Sequence, residues 1–138
     1  MRQIAAPLII FLYFFQVSAY TQAGDECPAT ESSETYIQQL ERRMEQHDAE
    51  AALTLAEYYH QGRCTKSDLT KSRLIYEQLA KEGNAEAEFR LALIYLNGFG
   101  VPANKITAEI WLNKAIKHHH PAARQLLEYI HEIGFDDC

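Results

Sequence analysis

The chain has little cysteine, few cations and no long apolar run, and each shortage closes off a class of function. Its three cysteines, Cys27, Cys64 and Cys138, stand nowhere at Cys-x-x-Cys spacing, so neither a zinc knuckle nor a thioredoxin motif is present. None follows a Leu-Ala-Gly lipobox pattern, and Cys27 comes after Asp25-Glu26, which argues against a lipoprotein. There is no Ser-x-x-Lys and no Gly-Lys-Ser/Thr, so the motifs of serine β-lactamases and of phosphate loops are missing. Lys and Arg number 13 against 19 Asp and Glu. An acidic surface repels phosphate backbones, which argues against nucleic acid, and it suits an anionic membrane poorly. The rest of the composition, 47% hydrophobic and 23% charged, is ordinary for a globular chain. A length of 138 residues holds one domain or a few small repeats.

The only sizeable apolar run, Ile4 to Phe15, is broken by Pro7 and falls short of the roughly 18 residues a bilayer span needs. It follows Arg2, the one charge in the first nineteen residues, and gives way to Val17-Ser18-Ala19. A basic start, a short apolar stretch and a small-x-small end read as a secretory signal peptide over 1–19. Cleavage is expected after Ala19, with Ala23 as a second site; an uncleaved N-terminal anchor is the alternative. The mature chain then carries 12 Lys and Arg against 19 Asp and Glu. It is expected in the periplasm or outside the cell, with no stable membrane insertion.

What is abundant is self-similarity. Shifted by 36 positions, Ala49, Glu50, Ala51, Leu55, Ala56, Tyr59 and Gly62 fall on Ala85, Glu86, Ala87, Leu91, Ala92, Tyr95 and Gly98. Apolar character continues, with Leu74, Ile75 and Leu79 opposite Ile110, Trp111 and Ala115. Ala123, Leu127 and Gly134 begin a truncated third copy. Each copy reads as helix, loop, helix. Asn84 is a fitting N-cap, Ala87, Leu91, Ile94 and Tyr95 recur at helical spacing, and Gly98 accepts the left-handed conformation of a C-cap. Val101-Pro102 forces an extended passage before a helix that starts near Asn104. Pro121 suits a first helical turn. Upstream, Tyr36, Ile37, Leu40 and Met44 mark one more amphipathic helix. The reading is six helices and no strand: a flexible lead over 20–31, a degenerate preceding helix over 32–47, repeats over 48–83 and 84–119, and a truncated repeat with its tail over 120–138. Small residues at Ala51, Ala56, Ala87 and Ala92 allow close helix approach. A single hairpin cannot bury its own apolar face, so neighbours must stack.

The residues Gly83-Asn84-Ala85-Glu86-Ala87, Leu91-Ala92, Tyr95, Gly98-x-Gly100-Val101, Ala108, Trp111 and Lys114-Ala115 closely resemble the Sel-one-like repeat, a tetratricopeptide-related unit. The resemblance covers about residues 48–134. It implies an all-α, right-handed α/α superhelical solenoid of about two and a half helix-hairpin repeats. The first copy departs from the pattern where Gly62-Arg63-Cys64-Thr65 replaces the Gly-x-Gly-Val turn, and His119 stands where the family prefers the glycine seen at Gly83.

Gly98-Phe99-Gly100 superficially suggests a phosphate loop, but it lacks the strand and the Gly-Lys-Ser/Thr that such a loop needs, so it is read as a helix-joining turn. His118-His119-His120 cannot share a helix face; a basic helix end explains them better than a metal site. Cys64 four residues after His60 offers a thiol and a base without an oxyanion donor or orienting acid. A loop cysteine is the simpler reading. Cys27, on the lead, can reach Cys64, whereas Cys138 lies about two repeats away. The run Glu41-Arg42-Arg43 with Glu45 reads as a solvated face with helical ion pairs. No metal, cofactor or catalytic residue is assigned.

In related solenoids the first helices line the concave side. That rule selects a stripe of Glu50, Thr54, Glu57 and Gln61, then Glu86, Arg90, Leu93 and Asn97, then Ala122, Leu126, Tyr129 and Ile133. The stripe turns apolar toward the C-terminus, either as a cap over the last repeat or as a docking patch, with the cap favoured. The candidate partner surface is thus Glu50, Thr54, Glu57, Glu86, Arg90, Leu93, Asn97, Leu126, Tyr129 and Ile133. The resemblance implies an exported protein-protein interaction module, an adaptor or regulator with a protein partner. A secreted β-lactam-binding or β-lactam-hydrolysing enzyme and a structural subunit of an envelope complex are the alternatives. Cysteine-rich enzymes of that kind pair cysteines in every repeat, which this chain does not.

Overall fold

The computed structural model describes Cys27 and residues 32–132. The leader over 1–19, the lead apart from Cys27, and Ile133, Gly134 and Cys138 lie outside the described residues. Six helices run in succession: α1 (Ser33–Glu45), α2 (Ala49–Gln61), α3 (Leu69–Lys81), α4 (Ala85–Asn97), α5 (Lys105–Lys117) and α6 (Ala123–Glu132). No strand occurs among the described residues.

The starts of these helices repeat as the core does. Side chains of Ser32, Asp68 and Asn104, each 36 residues from the next, accept from the backbone N–H three positions on. Asp48 and Asn84 do the same for α2 and α4. Each cap satisfies an orphan donor that a helix start leaves open. At the next step of this series stands His120, whose Nδ1 accepts from Ala122 N–H at 3.3 Å.

The ends repeat too. Gly62 and Gly98 close α2 and α4 with φ of 71° and 73°. Two residues later Cys64 and Gly100 are again left-handed, at φ 55° and 69°. Glycine is required at 100 for a second reason: a Cβ there would meet Leu69 Cβ at 2.9 Å. After the second helices, His47, Gly83 and His119 turn left-handed at φ 63°, 81° and 63°. His119 therefore holds the backbone conformation that Gly83 adopts without a side-chain penalty.

Ala51, Ala56, Ala87 and Ala92 are buried, as close helix approach requires. One core cluster spans α1 to α4 around Leu40, Leu55, Tyr76 and Leu91. A second joins α4, α5 and α6 around Ala92, Leu112, Ala115, Ala123 and Ile130. Trp111 packs against both. Each helix packs on its chain neighbours, which is the stacking expected of a repeat array.

One local reading needs correction, and the reach of Cys27 to Cys64 is realised. The charged run in α1 does not pair along its own helix. Arg43 instead reaches the N-cap of α2, with Nη2 2.7 Å from Asp48 Oδ2, and Glu41 accepts from Tyr59 Oη at 2.9 Å. Burial, helped by the Glu41 bond, pushes the Tyr59 phenol up to about 12. The charges of α1 thus fasten it to α2. Cys27 and Cys64 form a disulfide with a Cα–Cα distance of 5.7 Å, which ties the lead to the turn after α2.

Candidate functional site

The face formed by α2 and α4 carries a groove of about 100 Å³ lined by Glu57, His60, Tyr76, Arg90, Leu93, Ile94, Asn97 and Phe99. Its floor is an ordered chain of polar bonds. Tyr76, buried on α3, donates from Oη to Glu57 Oε2 at 2.9 Å. Arg90 Nη1 lies 3.2 Å from the same oxygen, and Arg90 Nε donates to Glu86 Oε1 at 2.7 Å. Glu86 Oε2 is 2.9 Å from His120 Nε2. Because His120 Nδ1 accepts from Ala122, the ring proton sits on Nε2 and donates to Glu86. Gln61 donates to the remaining oxygen of Glu57. Four elements are joined in this way: α2, α3, α4 and the turn between α5 and α6.

Each charge in the network is set by its neighbours. Burial pushes the Tyr76 phenol up, and the Glu57 charge and hydrogen bond add to that, so Tyr76 remains a neutral donor. Burial alone would raise the Glu86 carboxyl. The hydrogen bonds from His120 and Arg90, with the Arg90 charge, outweigh it and hold the group below its ordinary value. Burial likewise works against the Arg90 charge, but Glu57 and Glu86 more than offset it and keep the guanidinium protonated. Arg90 is therefore engaged by two carboxylates.

Of the stripe read from the sequence, Glu57, Arg90, Leu93 and Asn97 come together at the groove. Glu86 supports it from behind through Arg90. Glu50 is exposed and does not line the groove, and its carbonyl accepts from Thr54 Oγ1 at 2.9 Å. On α6, Leu126 is half-buried against the second core cluster, while Tyr129 is 50% exposed. Ile133 lies outside the described residues. The sequence reading missed Tyr76, His60 and Phe99. Tyr76 did leave a signal: it stands in the 36-residue register of Leu40 and Leu112, and a hydroxyl in a leucine slot asks for a partner. His60 and Phe99 meet edge to face at the rim, with centroids 5.1 Å apart.

The histidine run is also more than a basic helix end. His118 caps α5 and places Nδ1 2.8 Å from Glu88 Oε2, while His120 stacks on Phe89 at 4.2 Å. Cys64 is not a thiolate nucleophile, because its sulfur is bonded to Cys27. What the groove offers is a preorganised mixed surface: an aromatic rim, apolar Leu93 and Ile94, and carboxylate and amide groups with fixed directions. Such a surface can hold a peptide or a domain edge by a few anchors.

Comparison with known proteins agrees with this architecture. The Sel1 repeat model matches residues 49–84 and 85–120. Two curated relatives, the exopolysaccharide production negative regulators of Rhizobium meliloti (strain 1021) and Rhizobium leguminosarum bv. viciae, are each 42% identical over 77 residues. That match takes in 53% of this chain and 29% of each relative, so the chain spans less than a third of their length. Among solved structures, a protective antigen of uropathogenic Escherichia coli strains displaying an SLR fold superposes with a TM-score of 0.67 at 37% identity, over 71% of this chain and 21% of that one. A Sel1 repeat protein from Oxalobacter formigenes gives a TM-score of 0.68 over 75% of this chain and 42% of that one; at 19% identity it speaks for the fold alone. With two matched units on an all-α solenoid of stacked helix hairpins, this chain belongs to the Sel1 repeat family.

Proposed function

We propose that the chain is an exported protein-interaction module, an adaptor or regulator, that presents the face of α2, α4 and α6 to a protein partner and carries out no chemistry of its own. The groove between α2 and α4 is the observation that carries this reading. It combines apolar anchor positions with polar groups whose directions are fixed by the Tyr76–Glu57–Arg90–Glu86 network. A regulatory role draws support from the two rhizobial relatives, which are named as negative regulators of exopolysaccharide production. Export draws support from the leader-like composition of residues 1–19 and from the Cys27–Cys64 bridge, since disulfides persist in oxidising compartments.

The test is crosslinking in intact cells with a tagged chain, followed by identification of what is captured. Leu93→Glu and Asn97→Arg, which alter the groove without touching the buried core, should remove the specific partner while the circular dichroism spectrum stays that of the parent. A partner recovered at full yield with both variants places the binding surface elsewhere. Turnover of nitrocefin by the purified chain would instead favour the β-lactam reading.

A further inference from the structure

The charges of this chain are unevenly distributed. The chain as a whole is acidic, with a net charge of −6, but the outward faces of α3 and α5 are not. The exposed side chains on these two helices include Lys71, Lys81, Lys114 and Lys117, and the others are uncharged. Each helix has a single carboxylate, Glu77 on α3 and Glu109 on α5. Both are half-buried and taken, by Arg73 and by His131 respectively. None of the four lysines is in a salt bridge among the described residues, although Lys71 and Lys114 lean over the rings of Tyr59 and Trp111.

The same two helices hold three of the five large exposed hydrophobic residues: Leu74 and Ile110, each 52% exposed, and Ile106 at 71%. Ile106 and Ile110 lie one turn apart on α5 and therefore share a face. The 36-residue period places Leu74 and Lys81 of α3 in register with Ile110 and Lys117 of α5. Apolar side chains thus recur beside ammonium groups on the second helices of successive repeats, and none of them lines the groove. Core packing does not explain side chains this exposed.

We propose that the outer face of α3 and α5 docks on an anionic lipid surface. The isoleucines and Leu74 would enter the headgroup and acyl boundary. The lysines would stay at headgroup level, with their alkyl stems along the apolar contact. Charge complementarity selects this occupant: the exposed charges on the two helices are all ammonium groups, they outnumber the one exposed acid beside them, Glu82 at the C-cap of α3, and such a face is drawn to an anionic surface. The helices lie along the membrane and do not cross it. No described helix is long and apolar enough to span a bilayer. This face is separate from the groove, and the inference holds or fails independently of the partner assigned there.

The test is co-sedimentation of the full chain with vesicles of phosphatidylcholine alone and of phosphatidylcholine mixed with phosphatidylglycerol. Binding to the mixed vesicles should exceed binding to the neutral ones and weaken with added salt. The pair Lys81→Gln and Lys117→Gln should reduce the affinity by roughly fivefold per lysine. The pair Ile106→Ser and Ile110→Ser should reduce it by at least about tenfold. Leu93→Glu, in the groove, should leave it unchanged. All four substituted positions of the two pairs are exposed, so the variants should melt as the parent does, and the leader is common to every chain compared. Vesicle binding indifferent to both pairs overturns the proposal. So does an absence of binding to the phosphatidylglycerol vesicles, and capture of an acidic protein that the same substitutions abolish would then mark the face as a protein-docking surface.

Discussion

Glu88 and His118 are 30 residues apart in the chain and 2.8 Å apart in space, and the glutamate is only 1% exposed. The bond ties the first turns of α4 to the C-cap of α5, so one repeat closes on itself through a buried carboxylate. A buried polar group left without its partner costs about 1–3 kcal/mol. His118→Ala is therefore expected to lower the unfolding free energy by about 1–3 kcal/mol, with water reaching in past the partly open histidine site keeping the loss toward the low end. Replacing both members, Glu88→Met with His118→Ala, removes the orphan and should recover much of that loss. Urea denaturation of the two singles and the double decides it. Strict additivity of the single effects would show that the bond carries no coupling.

Glu86 gives the pH dependence its sign. His120 and Arg90 hold its carboxyl below the ordinary 4.5 despite burial. A carboxyl held low in the folded state contributes stability that is fully present above its unfolded pKa. That contribution is lost as pH falls through the lower folded value. The chain should therefore lose stability below about pH 4.5 as the Arg90–Glu86–His120 link is protonated. Glu86→Gln should cost stability at neutral pH and make the fall between pH 5 and pH 3 shallower. Thermal melts of parent and variant across that range test it, and parallel curves would show that Glu86 contributes nothing to acid sensitivity.

The fold was legible because its signals are local and repeated. Asn84, Gly98 and the alanines at 51, 56, 87 and 92 each announce a conformation or a close approach within a few residues of themselves, and the 36-residue period multiplies the signal. The site was legible in part. Helical spacing placed Glu57, Arg90, Leu93 and Asn97 on one face, but it could not say that α3 would send Tyr76 between the first helices of two repeats. Nor could it pair His118 with Glu88, or Arg43 with Asp48. Those bonds depend on how one helix seats on the next, which no single helix encodes. Leu74 and Ile110 show the complementary limit. Their recurrence as apolar letters marks the repeat, yet both are exposed. A repeat reports equivalence of position and does not report on which side of the helix that position lies.

His47 and His119 occupy the left-handed position that Gly83 fills in the repeat between them. A side chain in that conformation costs roughly 1 kcal/mol relative to glycine, offset in part by glycine's greater freedom in the unfolded chain. His47→Gly and His119→Gly should each raise stability by a few tenths to about 1 kcal/mol. The two sites are 72 residues apart by the period, so the gains should add. Gly83→Ala should cost about 1 kcal/mol by the same reasoning. Chemical denaturation midpoints at unchanged slope provide the measurement, and destabilisation by either glycine would mean that the imidazole makes a compensating contact.

The Cys27–Cys64 bridge joins two conclusions that can be separated by experiment. It closes a sequence separation of 37 residues, for which chain-entropy reasoning gives about 2–4 kcal/mol of stabilisation. Under denaturing, non-reducing conditions the monomeric chain should titrate one thiol, from Cys138, and three after reduction. The double variant Cys27→Ser with Cys64→Ser should be less stable by that 2–4 kcal/mol. Backbone strain at position 64 is separate from that loss, because cysteine and serine alike must hold the φ of 55° where the next repeat has Gly100. Combining Cys27→Ser with Cys64→Gly removes the bridge and relieves the backbone together, and it should be about 1 kcal/mol more stable than the double serine variant. At this position glycine suits the turn and cysteine suits the staple. The position equivalent to Leu69, which presses on Gly100 in the second repeat, is Ser33 in the first. A small residue there leaves space for a side chain that the second repeat cannot hold. Ser33→Leu should therefore weaken the oxidised chain, whereas the Cys64→Gly background should tolerate it. Equal tolerance in both backgrounds would sever the link between the two positions.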